Sequence, residues 1–168
     1  AVALASGGIT LTTAATDTKT CTQTQGGIWW YPAKSPVVEF RFKIDVITNV
    51  AIYAGFSDAV SEATSLLPFA IVTATQTDTC TDGAGFLFDT RQTADYFNIV
   101  QTKNGTDTFT QLASTRVPVA AANLTLRTAI DSSGNARYYW NGTQVGYKAN
   151  AVTVATPLIP FFGIRNNT

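Results

Sequence analysis

The chain has 168 residues, no formal net charge and only 13% charged positions, against a usual level of about 25%, which fits one domain with a largely neutral polar surface. Its 11 basic residues stand singly, which excludes the basic stripe of a nucleic-acid binder, and no run reaches the ~18 apolar residues of a membrane span. There is no His, so the commonest general base and metal ligand is missing.

Residues 1–35 are rich in Thr and Ala and read as a partly extended N-terminal arm carrying a first strand, "ITLTT". Cys21 in this arm and Cys80 further on are the only cysteines, both in Thr-rich settings ("TKTCTQTQ", "TDTCTDGAG"). They allow one disulfide or two free thiols, and a single pair does not decide between these. The arm ends in "GGIWWYPAKSP", where Trp29, Trp30 and Tyr31 stand together. Successive strand residues point to opposite faces, so one Trp can be core and the other an exposed anchor for a sugar or a protein.

Next, "PVVEFRFKIDVI" alternates strictly, with Val38, Phe40, Phe42, Ile44 and Val46 on one face and Glu39, Arg41, Lys43 and Asp45 on the other. Period two marks a half-buried strand. Further strands are expected at 50–56, 70–74, 85–89, 96–101, 109–112, 124–130, 136–140, 144–148 and 158–164, with 57–67 ("SDAVSEATSLL") as the one short helix. Many short strands joined by Gly, Asn and Pro turns predict an all-β antiparallel sandwich, one domain over 1–168.

The most informative stretch is "DSSGNARYYWNGTQVGY" (131–147). Asn141-Gly142 suits a two-residue type I′ turn, whose central residues both need positive φ. An unbulged ladder then pairs Trp140 with Thr143, Tyr139 with Gln144, Tyr138 with Val145 and Ala136 with Tyr147. The loop Asp131–Asn135 pairs Ile130 with Ala136, Thr128 with Tyr138 and Leu126 with Trp140. Leu126, Ile130, Ala136, Tyr138, Trp140 and Val145 thus share a core face, and Arg127, Arg137, Tyr139 and Gln144 the opposite one. A bulge would flip part of this. On this register Tyr138 and Trp140 are core rings. Tyr139 is the exposed one, beside Arg127, as a sugar platform or a cation–π partner.

In its order of strand, Gly turn, aromatic strand and Asn-Gly turn, "LTLRTAIDSSGNARYYWNGTQVG" resembles the penultimate meander of concanavalin-like (LamG-type) jelly rolls. "TPLIPFFGIRN" (156–166) is similar to their last strand, and "AIYAGFSDA" and "GAGFLFDT" to their sheet strands. The resemblance spans residues 36–166 and implies an antiparallel jelly-roll β-sandwich. Similar domains, rich in Thr and poor in charge, occur among tailed-phage virion proteins, so it also implies a structural or decoration protein of a virion.

The glycosidase branch of that superfamily carries closely spaced Glu, Asp and Glu on one strand, because retaining hydrolysis needs two carboxylates roughly 5–5.5 Å apart. Here the only glutamates are Glu39 and Glu62, and Glu39 and Asp45 lie about 20 Å apart along a strand at ~3.3 Å per residue. No nucleophile has a base motif beside it, and "DGAGF" lacks the Lys of a phosphate loop. An enzyme is not expected. Lectins of this fold hold Ca²⁺, and "TADYFNIV" (Asp95, Asn98) follows their loop only loosely. Asp78, Asp82 and Asp89 are a second set of oxygens that would have to converge to hold it. No cofactor is expected.

These features favour a non-enzymatic virion structural protein, a decoration or head-surface protein of a bacteriophage capsid. It would act by protein–protein packing, as a homo-oligomer or in multiple copies on a particle. Its partners would be capsid or other virion proteins, with neither nucleic acid nor membrane. The alternative is a carbohydrate-binding module, extracellular or on a host-recognition fibre. Trp29, Trp30, Tyr31, Arg127 and Tyr139 are the candidate ligand or interface residues in either case.

Overall fold

The computed structural model describes residues 2–3, 9–11, 20–24, 30–59 and 66–167. In chain order its strands are β1 (Val2–Ala3), β2 (Ile9–Thr10), β3 (Thr20–Thr24), β4 (Val37–Lys43), β5 (Val50–Ser57), β6 (Phe69–Val72), β7 (Thr75–Asp78), β8 (Asp82–Asp89), β9 (Asn98–Lys103), β10 (Thr106–Gln111), β11 (Asn123–Ile130), β12 (Ala136–Trp140), β13 (Thr143–Lys148) and β14 (Ile159–Asn166). A 3₁₀ turn, Pro32–Lys34, precedes β4.

β4 shows what alternation does and where it stops. Val38 is buried and Phe40 and Phe42 half-buried on one face, while Glu39 and Arg41 are exposed on the other. β4 pairs with β11 as far as Lys43 opposite Asn123. Beyond that point the partner strand has ended, so the alternating sequence runs on without a ladder. Ile44 still tucks into the core, but Val46 is 63% exposed rather than part of the buried face.

Two antiparallel sheets face each other, one in the order β10-β9-β8-β5-β14-β3 and the other in the order β13-β12-β11-β4. Between them Ile52, Phe56, Phe86 and Phe88 of the larger sheet meet Leu126, Ile130, Tyr138 and Trp140 of the smaller. A second apolar cluster covers the far side of the larger sheet. There Phe69 and Ile71 of the β6–β7 hairpin pack on Tyr53, Leu87, Val100 and Phe161. Fully burying each such side chain is worth roughly 1.5–3 kcal/mol. Covered on both faces, β5 and β8 are buried at every position and read as near-continuous apolar runs rather than alternating ones. Gly55 and Gly85 pair across these two strands to make room for Tyr53. A Cβ on Gly85 would come within 2.8 Å of the Tyr53 ring, whose hydroxyl donates to Phe56 O at 2.6 Å.

The β11–β12 register matches the sequence expectation, with Leu126 opposite Trp140, Thr128 opposite Tyr138 and Ile130 opposite Ala136. Asn141 and Gly142 have φ of 46° and 81°, as a type I′ turn requires. Across β12–β13, Trp140 meets Thr143 and Tyr139 meets Gln144, but a bulge then shifts the ladder so that Tyr138 meets Gly146 and Ala136 meets Lys148. The expected Tyr138–Val145 and Ala136–Tyr147 pairs are therefore not made. Val145 is the extra residue and packs on the core, while Tyr147 comes to lie opposite Arg137. A Cβ at position 146 would overlap the Ile99 side chain, so the shift sets the one glycine of β13 where Ile99 packs closest.

The turn offers a clean measurement. A Cβ on Gly142 would meet nothing within 4 Å, so Gly142→Ala tests the backbone alone. We expect it to cost about 1–2 kcal/mol in urea unfolding at unchanged slope. A negligible loss would show that the positive φ is not needed.

Within the first 35 residues, β1 pairs with β2 and β3 extends the edge of the larger sheet along β14, more than the single strand expected there. β7 is the other strand that the sequence pattern does not announce. Of the helix expected at 57–67, Ser57 ends β5 and residues 60–65 lie outside the described residues. Among the described residues no helix is long and apolar enough to cross a membrane.

Candidate functional site

A sheet face turned away from the core must satisfy its side chains in water, and on the four-stranded sheet that face carries two Arg–Tyr pairs. The ladders place Glu39, Arg127, Tyr139 and Gln144 in one row across the sheet, and Val37, Ala129, Arg137 and Tyr147 in the next. The Arg127 Cζ lies 4.4 Å from the Tyr139 ring centroid and the Arg137 Cζ 5.4 Å from that of Tyr147. Tyr139 is half-buried, and Tyr147 is 52% exposed. The two tyrosines sit diagonally on neighbouring strands, on either side of the bulge.

The two guanidiniums differ in how they are held. Arg137 Nη1 donates to Asp131 Oδ2 at 3.3 Å. Asp131 also accepts from the Asn135 side chain and from the Asn135 and Ser133 N–H groups. Partial desolvation pulls its carboxyl up, but the Asn135 and Ser133 hydrogen bonds and Arg137 outweigh it and leave the carboxyl below its ordinary value. Arg127 has no such anchor. Its Nε is buried without a hydrogen-bond partner, and stacking on Tyr139 is what positions it.

The sequence places Arg127 and Tyr139 correctly and sees Arg137 on the same face, but it misses Tyr147, which only the bulge brings outward. Gly146, a glycine inside a strand pattern, is the sequence feature that marks such a bulge. Trp29 lies outside the described residues. Trp30 forms a two-way bridge with Leu158, just before β14, at 3.1 and 3.2 Å. Its ring leans on Phe56 at 6.4 Å, with the residue 39% exposed, and Tyr31 beside it is 42% exposed. Trp30 and Tyr31 thus sit where the larger sheet begins its last strand, and Arg127 and Tyr139 lie mid-strand on the outside of the other sheet. They do not form one platform.

Other candidates resolve separately. Cys80 is a free, buried thiol whose Sγ donates to Pro68 O at 3.8 Å, while the side chain of Cys21 lies outside the described residues. Burial pushes the Cys80 thiol well above the ordinary value. Asp82 and Asp89 occupy opposite ends of β8 and are committed elsewhere, Asp82 to Thr153 N and Thr156 Oγ1 and Asp89 to two arginines. They do not converge with Asp78. Asn98 Nδ2 donates to Gln92 Oε1 at 2.6 Å. A groove of about 390 Å³ opens between the β9–β10 hairpin and the end of β13, lined by Lys103, Asn104, Thr106, Thr108, Lys148 and Asn150 among others, with no aromatic ring.

No family model matches the chain, and no curated protein does. Solved structures are similar to it. The carbohydrate recognition domain of Emp46p, in a potassium-bound form, superposes with a TM-score of 0.59 at 9% identity, over 90% of this chain and 72% of that one. The corresponding domain of Emp47p gives 0.53 at 11% identity, over 90% and 71%. The fold is the concanavalin-like jelly roll. A Bacillus licheniformis β-glucanase gives 0.50 at 13% identity over 89% of this chain, which spans 57% of the glucanase chain. In this jelly roll the β6–β7 hairpin closes the far side of the larger sheet. Among the described residues no hairpin covers the outer face of the smaller sheet.

Proposed function

We propose that this chain is a non-catalytic glycan-binding domain whose platform is the outer face of the four-stranded sheet. The observation that carries the reading is the doubled Arg–Tyr arrangement on adjacent strands. A tyrosine ring offers an apolar face with a polar tip, and a guanidinium offers five donors in a fixed fork suited to hydroxyl and carboxylate oxygens. Two of the structures that the fold resembles are carbohydrate recognition domains, a likeness that raises the prior without locating a site. Asp131 is engaged with Asn135 and Arg137, which leaves Glu39 without a second carboxylate on the platform and argues against hydrolysis there. Among the described residues Arg127 forms no ion pair, so the favoured ligand is a glycan bearing a carboxylate. The expectation of a virion decoration protein rests on composition and sequence resemblance, and the structural likenesses add nothing to it.

A glycan array of neutral and uronate- or sialate-bearing sugars tests this. Tyr139→Ala, Tyr147→Ala and Arg127→Ala should each weaken binding at least about tenfold, or ~1.4 kcal/mol, with the melting temperature nearly unchanged. Trp30→Ala should leave binding intact. Loss in Trp30→Ala with the platform variants unaffected would move the site to the other surface, and an array without any binding would end the glycan reading.

A further inference from the structure

Four oxygen acceptors are held beneath the β6–β7 hairpin. Gln76 and Asp78 lie on the less exposed side of β7, and β9 and β10 place Thr102 and Asp107 directly opposite each other. Gln76 Oε1, Asp78 Oδ2, Thr102 Oγ1 and Asp107 Oδ1 are all buried atoms without a hydrogen-bond partner, and Thr102 is wholly buried. Gln76 Nε2 donates to Gln101 O at 3.3 Å, which anchors that amide beside Thr102. Burial, and then contact with the Asp107 carboxyl, pushes the Asp78 carboxyl up to about 6. The Thr102 hydroxyl approaches Asp78 and draws it slightly back without reaching hydrogen-bond geometry. The ion pairs among the described residues involve Asp45, Asp89 and Asp131, not this pair. Asp58, which accepts from Thr81 N and Oγ1, adds further negative charge nearby.

Native interiors pair nearly all their polar atoms, so four orphaned oxygens in one place call for a common partner. Two carboxylates in contact cannot both stay ionised unless a cation or a proton lies between them. Carboxylate, amide and hydroxyl oxygens together are the donor set of a hard cation. We propose that Gln76, Asp78, Thr102 and Asp107 bind a divalent cation of the calcium type, which clamps β7 to the β9–β10 edge. Calcium suits it better than magnesium, because Ca²⁺ accepts irregular coordination by six to eight oxygens whereas Mg²⁺ demands a near-ideal octahedron. Water supplies the oxygens beyond the four side chains. Two carboxylates place the affinity in the weak range, with a dissociation constant on the order of 10⁻⁴–10⁻³ M. The site shares no residue with the glycan platform, so either reading can fail without the other.

Calorimetric titration of the full chain with CaCl₂ at about pH 7.5, after EDTA treatment, is the test. One site is expected, lost in Asp78→Asn and in Asp107→Asn. Thr102→Val removes one oxygen while keeping both charges and the shape, and should weaken binding about tenfold. Asp95→Asn, in the β8–β9 loop, should leave it unchanged. No heat up to about 10 mM calcium, together with a melting temperature indifferent to EDTA, overturns the proposal and assigns the pair a shared proton. Loss in Asp95→Asn with retention in Asp78→Asn overturns it as well. Should the Asn variants not fold, Thr102→Val decides alone, and an unchanged affinity there is a refutation.

Discussion

Replacing Asp89 by Ala is expected to lower the unfolding free energy by about 3–5 kcal/mol, the cost of removing one member of a buried ion-pair cluster. Asp89 is fully buried, and Arg165 beside it is only 7% exposed. One carboxylate oxygen accepts from Ile71 N, Arg91 Nη2 and Arg165 Nη2 at 3.3, 2.8 and 3.1 Å. The other accepts from Arg91 N, Arg91 Nε and Asn167 Nδ2 at 3.1, 3.0 and 2.9 Å. This single side chain therefore ties the end of β8 to β6, to the following turn, to β14 and to Asn167 just after it. Alanine would leave Arg165 charged and largely desolvated. For a chain of this length the melting temperature should fall by roughly 6–20 °C. The control is Asp45→Ala, which breaks the exposed Lys43–Asp45 contact at 3.4 Å and should cost at most about 1 kcal/mol. Equal effects of the two substitutions in urea unfolding would show that burial of the Asp89 cluster contributes nothing.

That cluster was invisible in the sequence, and the reason is physical. Asp89, Arg91 and Arg165 are far apart in the chain and follow no local spacing, so only the meeting of β8 and β14 ends could reveal them. Local patterns fared better where one face of a strand meets water. β4, β11 and β12 alternate, and the β11–β12 register follows from turn chemistry at Asp131–Asn135. β5 and β8 are covered on both faces and showed only as apolar runs. β7 has no apolar alternation at all, because the side facing the sheet is Gln76 and Asp78.

The candidate site was half legible for the same reason. Arg127 and Tyr139 lie before the bulge and obeyed the simple ladder. Tyr147 lies beyond it, and one extra residue reversed its face. Alternation lets one of Trp29 and Trp30 be core and the other exposed without saying which, and Trp30 and Tyr31 are exposed. Their distance from Tyr139 depends on which sheet each joins, and the sequence carries no signal for that.

The neighbours Tyr138 and Tyr139 should respond to truncation in opposite ways. Tyr138 is wholly buried, meets Phe86 edge-on at 5.7 Å, and its hydroxyl donates to Gln101 Oε1 at 3.2 Å. Burial raises its phenol well above the ordinary value, so it remains a donor. Tyr138→Ala should cost about 3–5 kcal/mol through lost contacts and the cavity left behind, while Tyr138→Phe should cost only about 1 kcal/mol for the hydrogen bond. Tyr139 points the other way and loses chiefly its Arg127 contact, worth about 0.5–1 kcal/mol at an exposed site. Unfolding curves of the three variants therefore test the strand's two faces directly. Comparable losses for the two alanine variants would place both rings in the core, and Tyr139 could then no longer serve as a binding platform. A large loss for Tyr138→Ala alone would leave Tyr139 free to be selected for what it touches outside the protein.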